Sequence, residues 1–540
     1  MIRDQKLRGA LLCGSVLSSA LLMAAVAQAE AGCVDTSERT VCSNGSLVGQ
    51  NVTNNIIFDP GDYIVELDNF QIQNGSVRAY LVQGNTNITL ANDSKIFGAT
   101  NWGVSAGVWV DGYFGGDISV GLLDTSSVSG LDGIFAISRR DVGVPGKIRI
   151  TSEAGSILGT FGSGIRVFTD DAVLVDVGGA VTGMDFGILA GSSYEKVVVK
   201  TGTGKITGQI HHGISATSSF GEVEVTTGGV VEGRSGIVAY GQGSISVSAM
   251  DDVFGLQGYG IAAANYGSGV YTGVFGAGGE VSVSALGDVF GSVSGISVFA
   301  GDGGANVIVG TGTVTGEFGD GVFLNSTTSS SSLNNGGTIR GFEHGVLSYS
   351  SELNVINNNG TIENLSAFSS DLAIGSFGSR TLLTNALSGI ITGRIEMDNT
   401  TAQDDLFTNA GLWRTGGLSV FGGGFDQLTN DGTLRFGSAA GVAEAAVLGD
   451  LEWLSNAGVL TSIDQVQGDG SSAFDRLELS ATIRAAPGLC WLWMRLLADR
   501  DRRLMCLRSW GLLLVRRQSR STTSTMVPLT SMLMASCWWM

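Results

Sequence analysis

Short runs of strict alternation mark the middle of the chain. Glu222-Val223-Glu224-Val225-Thr226, Ser244-Ile245-Ser246-Val247-Ser248 and Glu280-Val281-Ser282-Val283-Ser284 each put an aliphatic residue at every second position. A period of 2 predicts short β-strands with one face buried and one wet. No run sustains the 3.6 period of an amphipathic helix.

The strands lie inside a repeat. Gly followed by Ile or Val recurs at Gly107, Gly133, Gly164, Gly187 and Gly213, then at Gly236, Gly260, Gly295, Gly321 and Gly345. The steps run from 23 to 35 residues. A second mark precedes most of them by three to five residues: Val or Ile, any residue, then Gly. Val181-Thr182-Gly183, Ile206-Thr207-Gly208 and Val231-Glu232-Gly233 are examples. Further on the marks change and the step stays. Asn335, Asn358, Asn385, Asn409, Asn430 and Asn456 are 21 to 27 residues apart, and most have Gly two positions later. Both residue types tolerate the left-handed backbone of a tight turn, which places them at bends. Stacked Asn side chains can also form a ladder along an axis.

Magnitudes then select a fold. Gly inside a strand costs roughly 0.5–1 kcal/mol against Ala. The chain has 83 Gly, and in element interiors their summed cost would exceed the net stability of any domain. A single unit cannot bury its few Val and Ile alone. Stacking on neighbours gains about 1.5–3 kcal/mol per buried side chain. The expected fold class is all-β, a right-handed parallel β-helix of about fifteen coils of ~25 residues, a rod on the order of 70 Å long. Propeller blades of about 40 residues do not fit the step, and sandwiches have no fixed step. The helix is placed at residues 98–484. Residues 30–97, where the period is weaker, are expected to cap the open end.

Composition limits the classes of function. Charged residues are 15% and hydrophobic ones 43%, which excludes a disordered polyampholyte. The net charge of −19 argues against nucleic acid. That charge is uneven: residues 1–29 carry +2 and residues 485–540 carry +6, leaving −27 for the stretch between.

The two ends differ from the middle. A basic start, the apolar run Leu11 to Val26 and Ala27-Gln28-Ala29 read as a secretory signal peptide, cut between Ala29 and Glu30. The apolar run is too short and interrupted to span a membrane comfortably. Cys33 and Cys42 follow the cut and are a disulfide candidate in an oxidising compartment, the alternative being two free thiols. The last 56 residues hold 2 of the 83 Gly but 5 of the 9 Trp and 6 of the 11 Met. They show no period of 2. The preferred reading is a frameshift near residue 485 giving an unstructured tail, with a buried helix over Leu496 to Leu507 as the alternative.

The segment from Asp404 to Leu479 resembles the passenger regions of type V autotransporters. The residues that carry this are Leu406-Phe407-Thr408-Asn409-Ala410-Gly411-Leu412-Trp413, Asp426-Gln427-Leu428-Thr429-Asn430-Asp431-Gly432 and Leu451-Glu452-Trp453-Leu454-Ser455-Asn456-Ala457-Gly458. The resemblance extends over about residues 100 to 480. It implies export by the Sec machinery and passage across the outer membrane through a C-terminal β-barrel of the same chain. Such a barrel needs at least 8 strands of about 9–11 residues. The last 56 residues cannot supply them. The expectation is therefore a passenger that reaches the periplasm, its intact relatives being displayed at the cell surface.

Candidate chemistry is sparse. Gly103-Val104-Ser105-Ala106-Gly107 has the form of a hydrolase elbow without its strand–turn–helix context. His211-His212 sits at a turn, and with His344 these are all the histidines, so no zinc spacing exists. Asp170-Asp171, Asp251-Asp252 and Asp404-Asp405 read as solvated turns. Gly301-Asp302-Gly303-Gly304-Ala305-Asn306 resembles a calcium-binding turn but occurs once. Gly202 to Ile206 lacks the Ser or Thr of a phosphate loop. No catalytic, cofactor-binding or metal residue is assigned. Three functions are carried forward. The first is a non-enzymatic adhesion rod whose partners are a host-cell or extracellular-matrix surface or sibling rods. The second is a β-helix polysaccharide lyase or hydrolase, which needs acids and bases stacked on one face. The third is the inert product of a disrupted gene.

Overall fold

A computed structural model describes residues 33–485, except 36–38, 49–51, 55–61, 74, 81–83, 98–105, 113–115, 139–144, 266–277, 367–369, 398–402, 438–444, 463–475 and 480–481, together with three later strands. The signal segment, Ala29 and Glu30 lie outside the described residues.

The period-2 runs form strands and the bends between them stack. The result is an all-β solenoid of about 14 turns, about 25 residues each. A typical rung has three strands. Val173–Val177 is followed by Val181–Gly183 and then Ile188–Ser192. Each pairs in parallel with its equivalent one rung on: Val197–Thr201, Ile206–Gly208 and Ile214–Ser218. Three columns of strands thus enclose one core.

The register is set by side-chain columns. Ile165, Ile188, Ile214, Ile237, Ile261 and Ile296 pair rung to rung. All six are fully buried. A slip of one residue would turn each aliphatic side chain outward, so stacked burial fixes the pairing. Toward the C-terminal end the filling changes to Phe407, Trp413 and Phe421, all fully buried. Phe407 meets Trp413 edge-on at 5.0 Å, and the Trp413 Nε1–H donates to Gly393 O at 3.0 Å.

The Asn series forms the expected ladder, but inside the rod. Each residue ends a strand of the first column. The Nδ2 of Asn335, Asn358, Asn385, Asn409 and Asn430 donates to the Oδ1 of the next Asn at 2.6–2.8 Å. Asn335 through Asn430 are buried.

The role of glycine differs from expectation. Neither these Asn nor the Gly of the Gly-Ile marks has a positive φ. A Cβ on Gly187 would instead lie 2.5 Å from Gly213 O and 2.8 Å from Ile206 Cγ2. Adjacent rungs approach too closely there for any side chain.

Two boundaries also differ. Rungs begin before residue 98: Arg39–Val48 pairs in parallel with Tyr63–Gln73, which pairs with Thr86–Ala91. Tyr63–Gln73 is a single 11-residue strand with Asn69 at φ 48, so the bend carries no Gly mark. What caps the end is the strand Cys33–Asp35. It runs antiparallel on Arg39–Val48 and is tied by the Cys33–Cys42 disulfide. The tail expected to be unstructured contains the strands Leu496–Ala498, Leu504–Cys506 and Leu512–Val515. The last pairs in parallel with Arg476–Leu479. An apolar run meeting an open rung edge gains backbone hydrogen bonds whatever its origin.

Candidate functional site

The acidic pairs serve the backbone. Asp252 Oδ1 accepts from Asp288 N at 2.9 Å, and Asp288 Oδ1 from Thr313 N at 2.7 Å. Asp404 Oδ1 accepts from Phe425 N, and Asp405 Oδ1 from Thr381 N. Asp171 Oδ1 accepts from Ala172 N. These carboxylates join bends of successive rungs or close a local turn, so they have no common focus.

One acid stands out by its environment. Asp426 is fully buried, its Oδ1 accepts from Asp405 N at 2.7 Å, and its own N–H donates to Glu452. Its Oδ2 is buried with no hydrogen-bond partner. Burial raises its pKa to about 7, against the lowering effect of the Asp405 N–H and with help from Glu452, Asp404 and Asp450.

His211 and His212 occupy the bend between Ile206–Gly208 and Ile214–Ser218. His211 stacks on Phe186 at 4.9 Å, and its Nε2 lies 3.3 Å from Asp185 Oδ1. The His212 Nδ1 is buried with no partner. Burial holds its pKa below the usual value, with further lowering from His211 and Arg234. The rings are 6.3 Å apart and do not converge.

The third histidine forms a contact the sequence reading missed. His344 Nδ1 lies 2.6 Å from Asp320 Oδ1. Glu343 completes a trio whose ligand atoms all lie within 4.8 Å. The His344–Asp320 hydrogen bond already holds two members of the trio together. The signal was present: Asp320-Gly321 and His344-Gly345 hold the same place in consecutive units.

A shallow cleft of about 530 Å³ opens on the outer face of the third column. Gly191 is its floor and Phe168 covers it: a Cβ on Gly191 would lie 2.7 Å from Phe168 Cδ1. Ser138, Thr169 and Ser192 along it already bond to backbone groups, at Gly146 N, Gly146 O and Asp171 O. Thr217, Ser193 and Asp170 are the groups a ligand would meet beside the Phe168 ring. The Arg166 guanidinium sits 5.8 Å from the rings of both Phe135 and Phe168.

Of the remaining motifs, Ser105 lies outside the described residues. Gly107 lies in the strand Ala106–Gly112, where a Cβ would lie 2.4 Å from Val128 Cγ1. Gly202 and Gly204 pack on Gly178 and Gly179 of the preceding rung. Ala305 and Asn306 lie in the strand Ala305–Val309. Searches against protein-family models, curated proteins and solved structures matched nothing to this chain.

Proposed function

We propose that this chain is an exported structural rod that binds through its walls and catalyses no reaction, similar to the passenger regions of type V autotransporters. The observation that carries the reading is the unbroken stack. Acids such as Asp252, Asp288, Asp404 and Asp405 accept from backbone N–H groups of neighbouring rungs, and outward ion pairs such as Lys205–Glu232 and Arg340–Glu363, both 2.6 Å, tie rung to rung. A solenoid wall of this kind offers a long repetitive surface for a partner. The Cys33–Cys42 disulfide at the first rung suits an oxidising compartment and supports export.

Expression of the full chain in a Gram-negative host, fractionation and N-terminal sequencing test this. The expected product is an exported chain starting at Glu30 with Cys33 and Cys42 oxidised. A cytoplasmic chain that keeps Met1, or purified protein that depolymerises polysaccharides, would overturn it.

A further inference from the structure

Nine successive bends lead from the second strand column to the third, beginning after Ile157–Gly159 and ending after Thr361–Asn364. Among the described residues, eight of the nine expose a large apolar side chain at this one corner. Phe161, Ile210, Leu256, Phe318 and Phe342 are each more than half exposed, Phe318 at 65%. Met184, Val293 and Leu365 continue the line. The bends are joined by backbone hydrogen bonds, such as Ile210 N to Met184 O at 2.9 Å and Phe342 N to Gly316 O at 3.1 Å. At about 4.8 Å per rung, the stripe runs on the order of 40 Å along the rod. Folding gains nothing from the parts of these side chains that stay exposed, and a stripe of this length is unusual on a monomer.

We propose that the stripe is the contact between two copies of this chain, packed side by side and antiparallel about Leu256. The area fits. The exposed parts of these side chains amount to roughly 700 Å² per copy, so a pair buries roughly 1,400 Å², within the range of a stable interface. A straight stripe with one apolar group per rung is self-complementary under a two-fold axis. Charge selects the antiparallel arrangement. The one bend without an apolar group carries Arg234. Parallel pairing sets Arg234 against its own copy. Antiparallel pairing about Leu256 sets it within one rung of Glu317 of the other copy. The overall negative charge opposes contact, so added salt strengthens this dimer, the reverse of one held by ion pairs.

The inference depends on the rod and is independent of export. Sedimentation velocity of the purified full chain over a range of concentrations should show a monomer–dimer equilibrium that tightens with salt. Phe318→Ser combined with Phe342→Ser should weaken it at least tenfold with an unchanged circular-dichroism spectrum. Leu387→Ser, at a site 85% exposed and off the stripe, should leave it intact. Under mild oxidation Leu256→Cys should cross-link to itself across the two-fold axis, and Phe161→Cys should not. A chain that is monomeric at every concentration overturns the proposal, as does a double variant that dimerises like the parent. A monomer that binds phosphatidylcholine vesicles through the same residues overturns it in favour of a lipid surface.

Discussion

Asn409 and Asn430 are paired twice. They are register partners on adjacent parallel strands, and the Asn409 Nδ2 donates to Asn430 Oδ1 at 2.6 Å. An amide carries both donor and acceptor, so each Asn can receive from one rung and give to the next. A buried polar column is tolerated only because every member is satisfied.

Cutting the ladder should therefore cost more than one hydrogen bond. Asn409→Ala removes the shortest acceptor of Asn385 Nδ2, which keeps only longer contacts to Gly389 O and Leu412 O, and leaves Asn430 Oδ1 without its donor. The expected loss is about 2–4 kcal/mol, read from the urea midpoint by circular dichroism. Asn409→Asp keeps the acceptor and adds a buried charge, and should be no milder at neutral pH.

Two glycine substitutions should diverge. A Cβ on Gly213 would lie 2.6 Å from Val231 Cγ1 and 2.8 Å from Gly236 O, whereas on Gly121 the nearest atom is Thr151 Oγ1 at 3.5 Å. Gly213→Ala should lower stability by about 2 kcal/mol or more. Gly121→Ala, within a strand, should raise it by about 0.5–1 kcal/mol. Thermal melts of the two variants give the comparison.

Asp426 predicts a pH dependence. Its folded pKa of about 7 lies above its ordinary value of 3.8. The folded state thus binds the extra proton, and stability is lost as pH rises from about 4 through 7. Asp426→Asn keeps the acceptor for the Asp405 N–H. The variant should remove this pH dependence and be more stable than the parent at pH 8 by roughly 2–4 kcal/mol. Denaturant midpoints at pH 5 and pH 8 would reveal it.

Reducing the Cys33–Cys42 disulfide should free the antiparallel end strand while the stack stays folded. The expected change is a loss of about 2 kcal/mol at most. Hydrogen exchange should increase at Arg39–Val48 and stay constant at Ile214–Ser218.

The sequence made the stack and its step legible, because columns such as Ile188, Ile214 and Ile237 leave a periodic trace. The Asn ladder was legible for the same reason. The purpose of Gly was misread, since a left-handed bend and a close rung-to-rung approach leave the same letter. The early rungs were missed because Asn69 bends a continuous strand where later rungs use a glycine. The His344–Asp320 contact joins residues 24 positions apart, visible only once units are superimposed. The raised pKa of Asp426 arises from enclosure by several rungs, which has no local sequence signature.

Distances between spin labels test the stacking most directly. Thr182 and Thr207 are register partners one rung apart, and Leu158 is linked to Thr315 by six such steps. Labelled cysteine pairs at these positions, in a background with the other free cysteines replaced by serine, should give backbone separations of about 5 Å and about 29 Å. A Leu158–Thr315 distance unrelated to six rungs, or a Thr182–Thr207 distance that exceeds it, would contradict the account.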